Sequence, residues 1–176
     1  LESQNGRGVD GSELSESGDT IGHVLSTFVP AGQRVLILGA GRGQEVVFAT
    51  SRGYATTGLS LGPMNIEIAR ETLSIPLLFR DAHTSLLPSG NFDAIIGIHV
   101  LEHSWAPLIL LLECARLLRP AGVAIFETPS SIHHTGGRFL HHVLCPTPRQ
   151  ASGLFEKAGF VGIQQFSSGI PIAEAD

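Results

Sequence analysis

The sequence predicts an α/β protein built on a doubly wound, mainly parallel sheet. Three observations carry that expectation. From Arg34 onward, short apolar runs alternate with segments of helical spacing. The run "FDAIIGIHV" (residues 92–100) is apolar almost throughout, as a strand covered on both faces is. Finally, "RVLILGAGRGQEVV" leads an apolar strand into glycines at alternating positions, Gly39, Gly41 and Gly43, and then into a helix. Such a turn brings backbone N–H groups close to a ligand.

Taken in order, residues 1–18 are rich in Ser, Gly and acid with little to bury, which predicts a flexible tail before a single domain over 19–176. "DTIGHVLSTFV" then places Ile21, Val24, Leu25 and Phe28 at helical spacing behind an Asp cap. "RVLILG" is a buried strand, and "QEVVFATSRG" a short helix closed by Gly53. "ATTGLS" is a second strand. "PMNIEIARETL" is a helix with Pro63 in its first turn. "IPLLFRDA" reads as a third strand and "FDAIIGIHV" as a fourth. "APLILLLECARLL" is a helix ended by Pro120 and Gly122, and "VAIFET" a fifth strand. "TPRQASGLFEKAGF" has a Thr cap, Pro at the first helical position and a closing Gly, and "VGIQQF" reads as a last strand.

Composition narrows the function classes. The formal net charge is -5 and no basic cluster appears, which argues against a nucleic-acid partner. "APLILLLECARLL" falls short of the roughly 20 apolar residues a membrane span needs, so none is expected. The first twenty residues are polar and lack the apolar core of a signal peptide. Cys114 and Cys145 lie far apart without metal-type spacing, so reduced thiols, no metal and a cytoplasmic location are expected.

The glycine turn can be tested against known spacings. A dinucleotide fingerprint places its third glycine at the sixth position, which here is Gln44. The phosphate-loop pattern needs Gly-Lys-Ser/Thr, and none follows. The plainest alternative is a turn that only links strand to helix.

Gly-x-Gly-x-Gly after a first strand resembles motif I of the class I S-adenosylmethionine-dependent methyltransferases. The resemblance continues in order down the chain. "GLSLGPMNIEIAR" resembles the end of strand two and its Pro-Met helix. "RDAHTSLLPSGNFDAIIGIHVLEH" resembles the Asp-Ala, Leu-Pro, Phe-Asp and Leu-Glu-His series. "CARLLRPAGVAIFETP" resembles the stretch into strand five, and "TPRQASGLFEKAGF" the late helix ending in Ala-Gly-Phe.

The resemblance implies a Rossmann-like methyltransferase fold, S-adenosyl-L-methionine as cofactor, and methyl transfer to a small-molecule acceptor. It implies that Gly39, Ala40, Gly41 and Gly43 hold the methionine tail and ribose, with Ser60 on the ribose hydroxyls. Asp81 would accept from the adenine amino group, Ala82 would face the ring, and Leu61 and Met64 would flank it. His99, ending strand four, would sit where sulfonium and acceptor meet, or serve as a structural histidine. Glu102 and His103 match a Glu-His pair that caps and orients the following loop.

Three departures stand out. Ile37 replaces an acid in strand one, Ser60 replaces an acid ending strand two, and the family's final hairpin is shortened or absent. The alternative on the same fold is therefore a catalytically inactive binding or accessory protein. "SSIHHTGGRFLHHVLC" adds His133, His134, His141 and His142 after strand five. The adjacent pairs do not put ligands on one helix face, which argues against metal. His141 or His142, or else His103, is expected to serve as a base if the acceptor is a hydroxyl. Glu127, at the mouth of strand five, is a second candidate to touch the acceptor.

Overall fold

The computed structural model describes residues 11–129, 142–167 and 170–171. Helix α1 runs Gly11–Phe28 and buries Ile21, Val24 and Leu25. It starts before the expected cap, so Asp19 lies within it; residues 1–10 of the expected tail lie outside the described residues. Strand β1 (Arg34–Leu38), helix α2 (Gln44–Ser51) and strand β2 (Ala55–Ser60) come next, as the spacing predicts. Helix α3 (Pro63–Ile68) opens into a wide π-type turn over Ala69–Leu73. The Thr72 hydroxyl donates back to the Ile68 carbonyl at 2.7 Å there, and Ser74 reverses the chain in the left-handed region at φ 54°.

Strand β3 is only Leu78–Phe79, shorter than "IPLLFRDA" suggests. Pro76 has no N–H to give a ladder at its start, and the Asp81–Thr84 turn ends it. Strand β4 (Phe92–Ile98) is the apolar one. Helix α4 (Pro107–Leu117) passes without a loop into strand β5 (Leu118–Glu127), so Leu117 ends it, ahead of the expected Pro120 and Gly122. Residues 119–122 instead bulge around Asp93, with Ala121 at φ 62°. Asp93 accepts from the Arg34 N–H at 2.6 Å and lies 2.5 Å from Arg119 Nε. Regular pairing of β5 with β4 resumes at Val123.

Helix α5 (Pro148–Lys157) has the expected Thr cap: Thr147 and Gln150 form a reciprocal capping box. "VGIQQF" is not a strand as a whole. Gly162 turns the chain at φ 66° and Val161 is 92% exposed, so there is no face to bury. Only Phe166–Ser167 (β6) pairs, antiparallel with Ile170–Pro171 (β7).

The main sheet is five-stranded and parallel, in the order β3-β2-β1-β4-β5. Alternate β1 residues serve opposite faces. Val35 and Ile37 pack with α1 and α2, while Leu36 and Leu38 pack with α4. All strands point one way, so their carboxyl ends share one edge, where doubly wound sheets hold ligands.

Candidate active site

At that edge β1 ends in the glycine turn, with Gly39, Gly41 and Gly43 at φ 60°, 47° and 90°. The three have different reasons to be glycine. A Cβ on Gly39 would lie 2.7 Å from Val100 Cγ2, and one on Gly43 would collide with Ile75. Gly43 thus supplies the close packing that the dinucleotide pattern assigns to a later glycine. A Cβ on Gly41 would meet nothing but the Gly39 carbonyl, at 4.0 Å, so this residue faces open space. Glu45 stands in the first turn of α2, where burial pushes its carboxyl up and His99 acts in the opposite direction.

Ile37 is 2% exposed and belongs to the core beneath α1 and α2. Ser60 does end β2 at this edge, but it is buried, and its hydroxyl accepts a long 3.4 Å bond from the Gly62 N–H. Beside it the large apolar side chains Leu61, Met64 and Phe79 all stand exposed.

Asp81 is held by a relay that the sequence does not advertise. Its Oδ1 accepts from the His83 N–H at 2.9 Å and lies 2.7 Å from His83 Nδ1. His83 Nε2 is 2.8 Å from the Ser104 hydroxyl, and Trp105 stacks on the ring at 4.8 Å. The arrangement has the order of a Ser-His-Asp triad, but Ser104 is buried and reaches no substrate. Its effect is to orient Asp81, whose Oδ2 carries no bond among the described residues. The His83 backbone N–H, more than its ring, holds the Asp81 carboxyl below the usual range. Beyond Ala82, which packs on the α4 side of the core, the loop is tied to that helix. Ser85 donates through both N–H and hydroxyl to Glu113, which also takes Arg116 at 2.7 Å. Arg116, then Ser85, hold the Glu113 carboxyl down at about 2.

His99 comes after β4 in a left-handed conformation, φ 52°, uncommon outside glycine. Its Nδ1 lies 2.9 Å from Glu102 Oε1, and Glu102 is wholly buried. Glu102 Oε2 accepts from the Thr128 hydroxyl at 3.2 Å, and its backbone carbonyl accepts from Val143 and Leu144. The Glu102 backbone thus ties residues 143 and 144 to the turn after β4. The ring of His103 meets that of His142 edge-on at 4.9 Å, and His142 Nδ1 is 3.8 Å from Cys145 Sγ. A carboxylate oxygen of Glu102 and ring nitrogens of His103 and His142 come within 4.8 Å of one another. That set contains the ligand types of a transition-metal site, although both Glu102 oxygens already accept from His99 and Thr128. Glu127 Oε1 stands 3.9 Å from His99 Nε2. His133, His134 and His141 lie outside the described residues.

A family model described as a methyltransferase domain matches residues 36–126, which span β1 through most of β5. The chain belongs to the methyltransferase domain family. A ubiquinone biosynthesis O-methyltransferase of Nitrosococcus oceani is 34% identical to this methyltransferase domain over 107 residues, 56% of the chain and 44% of that protein. A protein of Mycolicibacterium smegmatis described as a probable S-adenosylmethionine-dependent methyltransferase is 27% identical over 135 residues, covering 74% and 52%. The chain thus spans about half the length of these relatives. Among solved structures, an S-adenosylmethionine-dependent methyltransferase of Archaeoglobus fulgidus superposes with a TM-score of 0.71 at 19% identity, over 85% of this chain and 70% of that one. The methyltransferase domain is thus of the class I, Rossmann-like kind the sequence motifs resemble, and the cofactor of its family is S-adenosylmethionine.

Proposed function

We propose that this chain binds S-adenosylmethionine across the carboxyl edge of the sheet and directs its methyl group to a hydroxyl of a small molecule. The observation that carries the reading is the glycine turn, in which Gly41 opens onto empty space while its neighbours are packed. Backbone N–H groups at the start of α2 favour the carboxylate of the methionine tail. Gly39, Ala40, Gly41 and Gly43 would line that tail, with Ser60 at the ribose. The free Oδ2 of Asp81 would accept from the adenine amino group, the Ala82 backbone would face the ring, and the exposed Leu61 and Met64 would cover it. Bound there, the cofactor supplies a methyl group on a sulfonium. The protein's share is alignment, which is worth more than any single contact in such a displacement. A histidine at the mouth takes the proton; His103, His141 and His142 are the ones the sequence favours.

A hydroxyl acceptor is supported by the relative named as a ubiquinone biosynthesis O-methyltransferase. No described helix is long and apolar enough to cross a membrane. The free Cys114 and Cys145 support a cytoplasmic location, and burial pushes the Cys114 thiol up to about 12. A melting curve tests the cofactor reading. S-adenosylhomocysteine at a hundredfold excess over its dissociation constant should stabilise the protein by about 2.7 kcal/mol, while NADH should not. A shift with NADH alone would reverse the assignment.

A further inference from the structure

We infer that His99, held by Glu102, is the general base of the methyl transfer. The inference rests on the hydroxyl-acceptor reading above and adds the group that takes the proton. Three features of the described structure carry it. The ring is oriented from behind: Nδ1 lies 2.9 Å from a carboxylate oxygen of Glu102, which is 0% exposed and fixed in turn by Thr128. A base oriented by a buried carboxylate is the arrangement that sets the tautomer, with the proton on Nδ1 and Nε2 bare. That second nitrogen faces outward. The His99 side chain is 60% exposed, and Glu127 Oε1, at 3.9 Å, is too distant to hydrogen-bond Nε2. Lastly, the position is fixed by the sheet. Gly97 pairs with Leu38, so His99 emerges beside the glycine turn, and Val100 packs on Gly39. The backbone conformation at φ 52° costs on the order of 1 kcal/mol for a side-chain-bearing residue.

In the step itself, the hydroxyl proton passes to His99 Nε2 while the oxygen's electron pair forms the new bond to the methyl carbon. The electrons of the broken carbon–sulfur bond stay on sulfur, which becomes neutral. The positive charge moves to the imidazole ring, where the Glu102 carboxylate meets it. Glu127 of β5 lies 3.9 Å from Nε2 and Glu45 of α2 acts on the ring electrostatically, so the base works among three carboxylates. The rings of His103 and His142 contact each other edge-on, and a nitrogen of each lies within 4.8 Å of a Glu102 carboxylate oxygen.

The test uses the chain with S-adenosylmethionine and catechol as the hydroxyl probe, alongside a primary amine probe. His99→Asn is the variant of choice, because Asn tolerates the left-handed backbone. It should keep its affinity for S-adenosylhomocysteine and lose at least a hundredfold in kcat. Independently of turnover, nitrogen NMR of the free wild-type protein should show neutral His99 protonated on Nδ1 and bare on Nε2. His99→Asn turning over catechol at the wild-type rate, or a proton on Nε2, would overturn the inference and leave O-methylation standing. Methylation of the amine with catechol untouched would overturn the hydroxyl reading and the inference together.

Discussion

Strands β1 and β4 lie side by side, end at the same edge, and each leaves the sheet through a left-handed residue, Gly39 at φ 60° and His99 at φ 52°. Past those two residues the regions differ in kind. After β1 the turn presents mainly backbone, since three of its residues are glycine, with Glu45 following in the first turn of α2. After β4 and β3 it presents side chains, each braced from behind: His99 by Glu102, Asp81 by His83 and Ser104. The lesson is one of division of labour. A backbone-lined turn suits a ligand part common to every turnover, while braced side chains suit the part that must be recognised or deprotonated.

The backbone half can be broken at its root. Ile37→Asp places a carboxylate at a 2% exposed site with no partner, and should cost about 3–5 kcal/mol in urea unfolding, if the chain folds at all. Wild-type stability would mean that β1 side chains are not core. A finer cut separates two glycines of one turn. Gly43→Ala meets both φ 90° and Ile75, and should lose roughly 2 kcal/mol of stability. Gly41→Ala has room for its methyl group and should lose about 1 kcal/mol, yet weaken S-adenosylhomocysteine at least tenfold in calorimetric titration. Equal affinity in Gly41→Ala and wild type would remove the ligand from that space.

Acid should discriminate between the halves with the smallest effect. Asp81 and Glu113 are held below their ordinary values of 3.8 and 4.5, so their stabilisation is present above those values. It is lost as pH falls below them, through about 2 for Glu113. As pH falls from 4.5 to about 2, amide protection in the 81–89 loop should be lost before that in the glycine turn. Simultaneous opening of both would contradict the division.

The glycine turn is legible in the sequence because its cause is local: three positive φ values need three glycines, and they sit four residues apart at most. The strand pattern of β1, β2 and β4, and the Thr147 cap, are local too. The bracing of Asp81 is not legible, since Ser104 lies 21 residues from His83 and meets it only when the turn after β4 forms. The pattern puts His99 at the right strand end, but its bond to Glu102 depends on a left-handed backbone reversal that the strand pattern does not announce. "VGIQQF" misleads for the opposite reason. Its alternation is strand-like, while Gly162 and the lack of a sheet to pair with decide otherwise.

The neighbourly placement of β1 and β4 also sets the order in which the molecule can be assembled on a ribosome. Arg34 bonds a partner 59 residues further on, whereas β2 joins β1 after roughly 20. Closing the longer loop costs about 0.9 kcal/mol more by chain entropy, a minor sum. The delay is not minor. At about 5–20 residues per second, β4 emerges roughly 3–12 s after β1, and α4 later still. For that interval Leu36 and Leu38 have no cover, and the glycine turn has no Val100 against it. The ligand edge therefore comes into being only when the second half of the chain arrives, and a nascent chain stalled before Phe92 would carry the motif without the pocket.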